Sequence, residues 1–260
     1  MRENMRLRCM KQDGAALYQN ALNGFTAGGH IGTEHVNMVE RQVSAIVLAA
    51  GLSTRMGAFK PLLRLGGKLL IQLVIEALER SGEVSSVVVV TGHQRELIEE
   101  AVSEMRVRTV FNAEYAKGEM LSSLQKGIGA LPVEAHGFVL AFADQPAVEA
   151  ETVGTLVRRF KETGAPLVIP EYLGKRGHPV VISTALVPAI RALPPEGTLR
   201  TVVHEHLARA EMVTVNDASV LEDLDTPEDF IRLEKRWSVG GNDSADGTTF
   251  KNTTMLAAGH

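Results

Sequence analysis

The sequence predicts an α/β fold: a doubly wound, mostly parallel sheet in a single domain spanning residues 41–237. Three observations predict it. Residues 43–48 form an apolar, β-branched run interrupted only by Ser44 and too short for a typical helix. Such a run reads as a strand buried on both faces, the usual state in a parallel sheet. Comparable runs recur at 84–90 and 138–143, and segments of helical period lie between them. That alternation is the mark of parallel strands joined by right-handed helical crossovers.

After the first strand the chain collapses into small residues and glycine, Ala49-Ala50-Gly51-Leu52-Ser53, followed by Arg55 and Lys60. A loop of low bulk lets backbone N–H groups approach an anion, and two cations supply charge where phosphates would lie. The stretch therefore reads as a nucleotide phosphate cradle; the alternative is an ordinary βα turn that holds an Arg and a Lys. It is not a Walker loop, since Lys60 follows Gly57 by three residues and Pro61 comes next. The G-x-G-x-x-G dinucleotide pattern is absent as well.

Further along, 69–80 reads as a helix with one broad apolar face, stopped at Ser81-Gly82. A strand at 84–90, the turn Thr91-Gly92-His93, a polar helix at 96–102 and a strand at 108–111 follow, ending at Asn112. Gly118 opens another helix with Ser122 and Ser123 near its first turn, where hydroxyls serve either as caps or as ligand contacts. The strand 138–143 ends in Asp144, then Gln145-Pro146. Ligands gather at the carboxyl ends of strands in open α/β sheets, so this carboxylate suits a divalent metal that also touches a phosphate. An Asx cap on the following turn is the other reading.

Arg158, Arg159 and Lys161 read as the solvated edge of a helix at 152–161. A strand at 165–170 leads to Lys175-Arg176-Gly177-His178-Pro179, which suits either an anionic substrate or a polar hairpin-like loop before the strand 180–183. His204 and His206 stand two apart on an expected helix, so they face differently and do not form a zinc pair. After a strand at 212–216, Asp223 and Asp225 alternate along an extended segment and project one way. Paired carboxylates favour a cation between them, with solvent exposure as the alternative. Thr226, Pro227 and Asp229 then form a helix start.

Composition narrows the class. The 260-residue chain is 45% hydrophobic, enough for a sizeable core, and has no apolar run approaching the ~20 residues of a membrane span. A net charge of −4 and a pI near 6.1 argue against a general nucleic-acid or membrane-surface binder. Cys9 is the single cysteine, so intramolecular disulfides and cysteine zinc sites are excluded. The expectation is a soluble, cytoplasmic protein. Residues 1–40 show no sustained period and read as a disordered extension, with Met38 as an alternative start. Arg2, Arg6 and Arg8 are not followed by an apolar targeting segment. Residues 238–260 are polar and read as a disordered tail.

Together these pieces resemble the MobA-like nucleotidyltransferases. The matching motifs are Leu48-Ala49-Ala50-Gly51-Leu52-Ser53-Thr54-Arg55-Met56-Gly57 with Lys60, Gly118 with Ser122 and Ser123, Asp144-Gln145-Pro146, Gly177-His178-Pro179, and residues 223–229. Ala49-Ala50-Gly51 resembles the branch that attaches CMP to molybdopterin, whereas guanylyl relatives usually show Ala-Gly-Gly. The run Glu196-Gly197-Thr198-Leu199-Arg200 departs from the family's Asp-x-Gly-Ala-Arg. The resemblance implies a Rossmann-like sheet of the nucleotide-diphospho-sugar transferase type. It implies Mg²⁺ on Asp144 and Asp225, and CTP bound by Leu48, Ala49, Ala50, Gly51, Ser53, Gly57, Gly118, Ser122 and Ser123. Arg55 would meet the β- and γ-phosphates and Lys60 the α-phosphate, with Arg55, Lys60 and Asp144 as the catalytic set. Arg176, Gly177, His178 and Pro179 would contact molybdopterin, the acceptor, and a molybdenum hydroxylase would be the downstream partner. Alternatives are a sugar- or alcohol-phosphate nucleotidyltransferase, a guanylyltransferase, or a non-catalytic cofactor-delivery protein.

Overall fold

The computed structural model describes residues 41–53, 56–116 and 120–240. The expectations for residues 1–40 and for the tail beyond Gly240 lie outside the described residues. The frame is an eight-stranded mixed sheet built around β1 (Gln42–Ala49). On one side β1 pairs in parallel with β4 (Val87–Thr91), which pairs in parallel with β5 (Val107–Phe111). On the other it pairs in parallel with β6 (Ala135–Phe142). Next to β6 lies β9 (Val180–Ser183), antiparallel both to it and to β7 (Leu167–Tyr172). The far edge is β10 (Glu211–Thr214), parallel to β7. A short β8 (Lys175–Arg176) folds back on β7. Two small strands, β2 (Arg64–Leu65) and β3 (Lys68–Leu69), form a separate hairpin whose turn residues Gly66 and Gly67 have φ of 58° and 86°. Two successive positive φ values are what a two-residue turn of the right twist requires.

Alternation along β1 sends its side chains into two layers, and both are buried. Val43, Ala45, Val47 and Ala49 pack with α1 (Leu70–Arg80), α2 (Arg95–Ala101) and α4 (Ala150–Thr163). Ile46 and Leu48 pack with α3 (Met120–Gly129), α5 (Val187–Arg191) and α6 (Leu199–His206). A third cluster joins Met56, Leu65 and Leu70 to Leu224 and to Leu233 of α7 (Pro227–Gly240). It draws the hairpin, the loop after β1 and the late acidic segment together.

Most elements stand where the sequence puts them. The strand expected from residue 84 starts at Val87, because the preceding serines tie themselves across β1. Ser85 N–H and Oγ both reach Val43 O, at 2.8 and 3.1 Å, and Ser86 O accepts Ala45 N–H at 2.8 Å. The strand expected at 165–170 is displaced to 167–172, and the last helix runs to Gly240, so residues 238–240 are helical rather than part of the expected disordered tail.

Asp217, which the motif reading passes over, ties the late chain to the sheet. It is 5% exposed, and its carboxylate accepts from Glu149 N–H at 3.0 Å, Thr152 Oγ1 at 2.8 Å and Ser219 N–H at 3.0 Å, with a further bond from Ser219 Oγ. An anionic acceptor at the start of α4 satisfies N–H groups that a helix leaves unpaired. Replacing it strands several buried donors at once. Asp217→Ala is expected to lower stability by about 3 kcal/mol in urea unfolding.

Candidate active site

A cleft of about 430 Å³ opens at the carboxyl ends of β1 and β6, a size in the range of small-molecule sites. Its floor is the end of β1, where Leu48, Ala49, Ala50 and Gly51 line it with Ser53. Ser53 sits at φ 52°, and its Oγ accepts Lys60 N–H at 3.2 Å, so the loop folds back on itself. Close approach of neighbouring chain is needed here. A Cβ on Gly92 would lie 2.7 Å from Ala50 O and 2.6 Å from Tyr115 Cβ, which explains a glycine in the turn after β4.

One wall is acidic and, among the described residues, carries one cation. Lys60 opens a short 3-10 helix, Lys60–Leu62, and its Nζ donates to Asp144 Oδ2 at 3.1 Å and to Asp225 Oδ1 at 3.0 Å. Asp144 arrives just past β6, while Asp225 is placed by its neighbour. Leu224 is 4% exposed in the third cluster, so the flanking aspartates must turn the other way. Asp223 takes the same side and accepts from Gln145 Nε2 at 2.8 Å. Thr226 and Asp229 then close a reciprocal cap on α7, with Thr226 N–H donating to Asp229 Oδ2 at 2.7 Å and Asp229 N–H to Thr226 Oγ1 at 3.3 Å.

The electrostatics of this wall are uneven. Burial works against the Lys60 ammonium, but its bonds to Asp225 and Asp144 outweigh that and hold its pKa above the ordinary lysine value. Burial pushes the Asp144 carboxyl above its ordinary value; Lys60 offsets only part of the rise, and Asp223 adds to it. Among the described residues, Lys60 is the cation bonded to this acidic wall. Two hard carboxylates on the wall of the cleft fit a divalent cation, which such side chains can hold while water and substrate phosphate complete its shell.

The opposite wall was less legible. Tyr115 and Met120 line it with Ser123, and Phe142 and Pro61 complete the cleft. Sequence reasoning named Ser123 but missed Tyr115, Met120, Phe142 and Pro61. Phe142 and Tyr115 lie next to strand-end motifs, and that position was the available signal. Ser123 lines the cleft, whereas Ser122 stands beside it; both accept from Asn112 Nδ2 at 3.0 Å. Gly57 adopts φ 67° in the loop without lining the cleft. Arg55 and Gly118 lie outside the described residues.

The segment 176–179 stands behind the cleft rather than in it. Arg176 is exposed on β8, and a Cβ on Gly177 would lie 2.2 Å from Val220 O, so this glycine allows two backbones to meet. The ring of His178 packs edge-on against Phe142, 4.9 Å between centroids. His178 Nδ1 is buried and finds no hydrogen-bond partner among the described residues.

Against known proteins, the model of the MobA-like NTP transferase domain matches residues 45–210. The chain belongs to the MobA-like NTP transferase family. The match stops short of Asp225, which the fold nonetheless brings to Lys60. This MobA-like transferase is 28% identical over 200 residues to the molybdenum cofactor cytidylyltransferase of Escherichia coli, covering 75% of this chain and 97% of that one. It is 30% identical over 199 residues to nicotine blue oxidoreductase of Paenarthrobacter nicotinovorans, covering 74% and 96%. Among solved structures it resembles a nucleotidyl transferase from Methanothermobacter, at TM-score 0.64 and 26% identity, covering 76% of this chain and 99% of that one. The family match and the cytidylyltransferase relative make this chain an enzyme of the nucleotidyltransferase class. Among the described residues, no helix is long and apolar enough to cross a membrane.

Burial holds the His178 imidazole below its ordinary value, with Asp223 opposing weakly. A histidine kept neutral by the fold stabilises it fully above its unfolded pKa, and that contribution is lost as pH falls below about 6.5. His178→Gln is therefore expected to show a shallower fall in melting temperature than the parent protein between about pH 7 and about pH 5.5.

Proposed function

We propose that this protein transfers CMP from CTP to the terminal phosphate of molybdopterin, with Mg²⁺, and releases pyrophosphate. The observation that carries the reading is Lys60, held between Asp144 and Asp225 at the wall of a cleft floored by the end of β1. The 28% identity to a cytidylyltransferase over most of both chains, and Ala49-Ala50-Gly51 in the loop, favour CTP over GTP. The acceptor would be handled in the cytoplasm and the product passed to a molybdenum hydroxylase.

In this reading the triphosphate lies against Lys60 and the base against the wall of Tyr115 and Ser123. Asp144 and Asp225 would hold Mg²⁺, which would supply positive charge to the phosphates. Lys60 exchanges its carboxylate bonds for the α-phosphate and the incoming phosphate, and Arg55 holds the β- and γ-phosphates. The terminal phosphate of molybdopterin attacks the α-phosphorus in line; one P–O bond forms and the bond to pyrophosphate breaks. A phosphate monoester is largely ionised near neutral pH, so no side chain need remove a proton. What the protein supplies is position and charge.

Incubation with Mg²⁺, molybdopterin cofactor and each NTP in turn, following pyrophosphate, tests the reading. Release with CTP is expected; release with GTP and not CTP overturns the choice of nucleotide, and turnover of a sugar phosphate instead overturns the acceptor. Lys60→Ala and Asp144→Ala are each expected to lower the rate by about 10²–10³. Full activity in both would remove these residues from the mechanism.

A further inference from the structure

Asn112 has no place in the chemistry above, yet it is fully buried where β5 ends. Its N–H donates to Thr91 O at 2.9 Å, and its side chain has three partners. Oδ1 accepts Glu114 N–H at 3.1 Å. A backbone N–H can only donate, so this bond fixes which end of the amide is oxygen, an assignment that otherwise rests on inference. The other end is then the NH₂ group, and it donates to Ser122 Oγ and to Ser123 Oγ, each at 3.0 Å. A hydroxyl oxygen that accepts from Asn112 must aim its own hydrogen elsewhere. Ser123 is 6% exposed and lines the cleft beside Tyr115.

Position gives this polarity a use. The sheet order β6-β1-β4-β5 separates the strand that delivers Asp144 from the strand that delivers Asn112 by three steps, about 14 Å at ordinary strand spacing. With side chains reaching inward from both ends, that span has room for a nucleotide lying with its phosphates toward Lys60 and its base toward Ser123. We propose that Asn112 is a positioning residue that sets the hydrogen-bond polarity of the nucleobase subsite. It makes Ser123 a donor, matched to an acceptor on the base edge such as O2 or N3 of cytosine. At N3, uracil presents N–H instead and meets a donor with a donor. The inference rests on the reading that a nucleoside triphosphate fills the cleft with its phosphates at Lys60.

The test is a binding cycle with non-hydrolysable analogues of all four NTPs and Mg²⁺, titrated calorimetrically into the parent protein, Asn112→Asp, Ser123→Ala and the double variant. A carboxylate at 112 still accepts Glu114 N–H, but it accepts from serine as well and turns the hydroxyl hydrogen away from the base. Asn112→Asp and Ser123→Ala are each expected to weaken the CTP analogue about tenfold. The double variant is expected to bind no more weakly than Ser123→Ala, because Asn112 acts through that hydroxyl. A purely structural Asn112 would lower the melting temperature without this coupling. Additive losses, or parental affinity in Asn112→Asp, overturn the proposal. Tighter binding of the GTP analogue by the parent protein overturns the choice of CTP, and the same coupling, read on that analogue, then decides the role of Asn112. Should Asn112→Asp not fold, Asn112→Ala in both serine backgrounds reads the same coupling.

Discussion

The Lys60 ammonium, bonded to Asp144 and to Asp225 across 84 and 165 residues of sequence, is the contact on which the arrangement of the site depends. Taking three charged groups partly out of water is unfavourable, and an ion pair in such a place is weak evidence for stability. Lys60 is 7% exposed, so its charge can be kept only while the carboxylates stay near. Burial in turn keeps the Asp144 carboxyl pushed upward despite Lys60. Such a wall is more valuable to a ligand that brings its own cation than to the resting fold.

Holding those charges together is the task of apolar contacts. Leu224 is buried between two aspartates, and its packing against Met56, Leu65, Leu70 and Leu233 fixes the direction in which the aspartates point. The same cluster holds Met56 of the loop that leads to Lys60. Thus one hydrophobic contact group sets the positions of cation and anion from opposite ends of the chain. The β2–β3 hairpin joins in through Gly66, where a Cβ would lie 2.6 Å from Trp237 Nε1.

Residues whose meaning is local were legible in the sequence. The run of β1 declared a buried strand by composition, Asp144 declared itself by ending a strand, and Asp223 and Asp225 by alternation. All of these rest on a period or a neighbour. Asn112, Tyr115 and Asp217 were not legible, because each acts through a partner that no period predicts. Asp217 caps a helix that begins more than sixty residues earlier, bonding Glu149 N–H at a separation of 68. The antiparallel insertion of β9 between β6 and β7 was hidden for the same reason, since an apolar run does not state the direction of its neighbours. The Gly177-His178-Pro179 motif was legible as a motif while its placement behind Phe142 was not.

The two ends of the cleft share a design. At one, Lys60 lies against carboxylates; at the other, Ser123 lies against the amide of Asn112. In each case a group suited to touching a ligand is oriented by a residue deeper in the protein. The orienting contact also closes off unproductive directions: the ammonium is turned toward the acidic wall, and the hydroxyl hydrogen away from Asn112. Side chains fixed in this way lose less freedom when a ligand arrives, and preorganised charges and dipoles need little rearrangement as charge develops. The sheet makes that possible because strand ends are its rigid points. Asn112 follows directly on β5 and Asp144 stands two residues past β6, so their separation is set mainly by hydrogen-bonded strand spacing rather than by loop length.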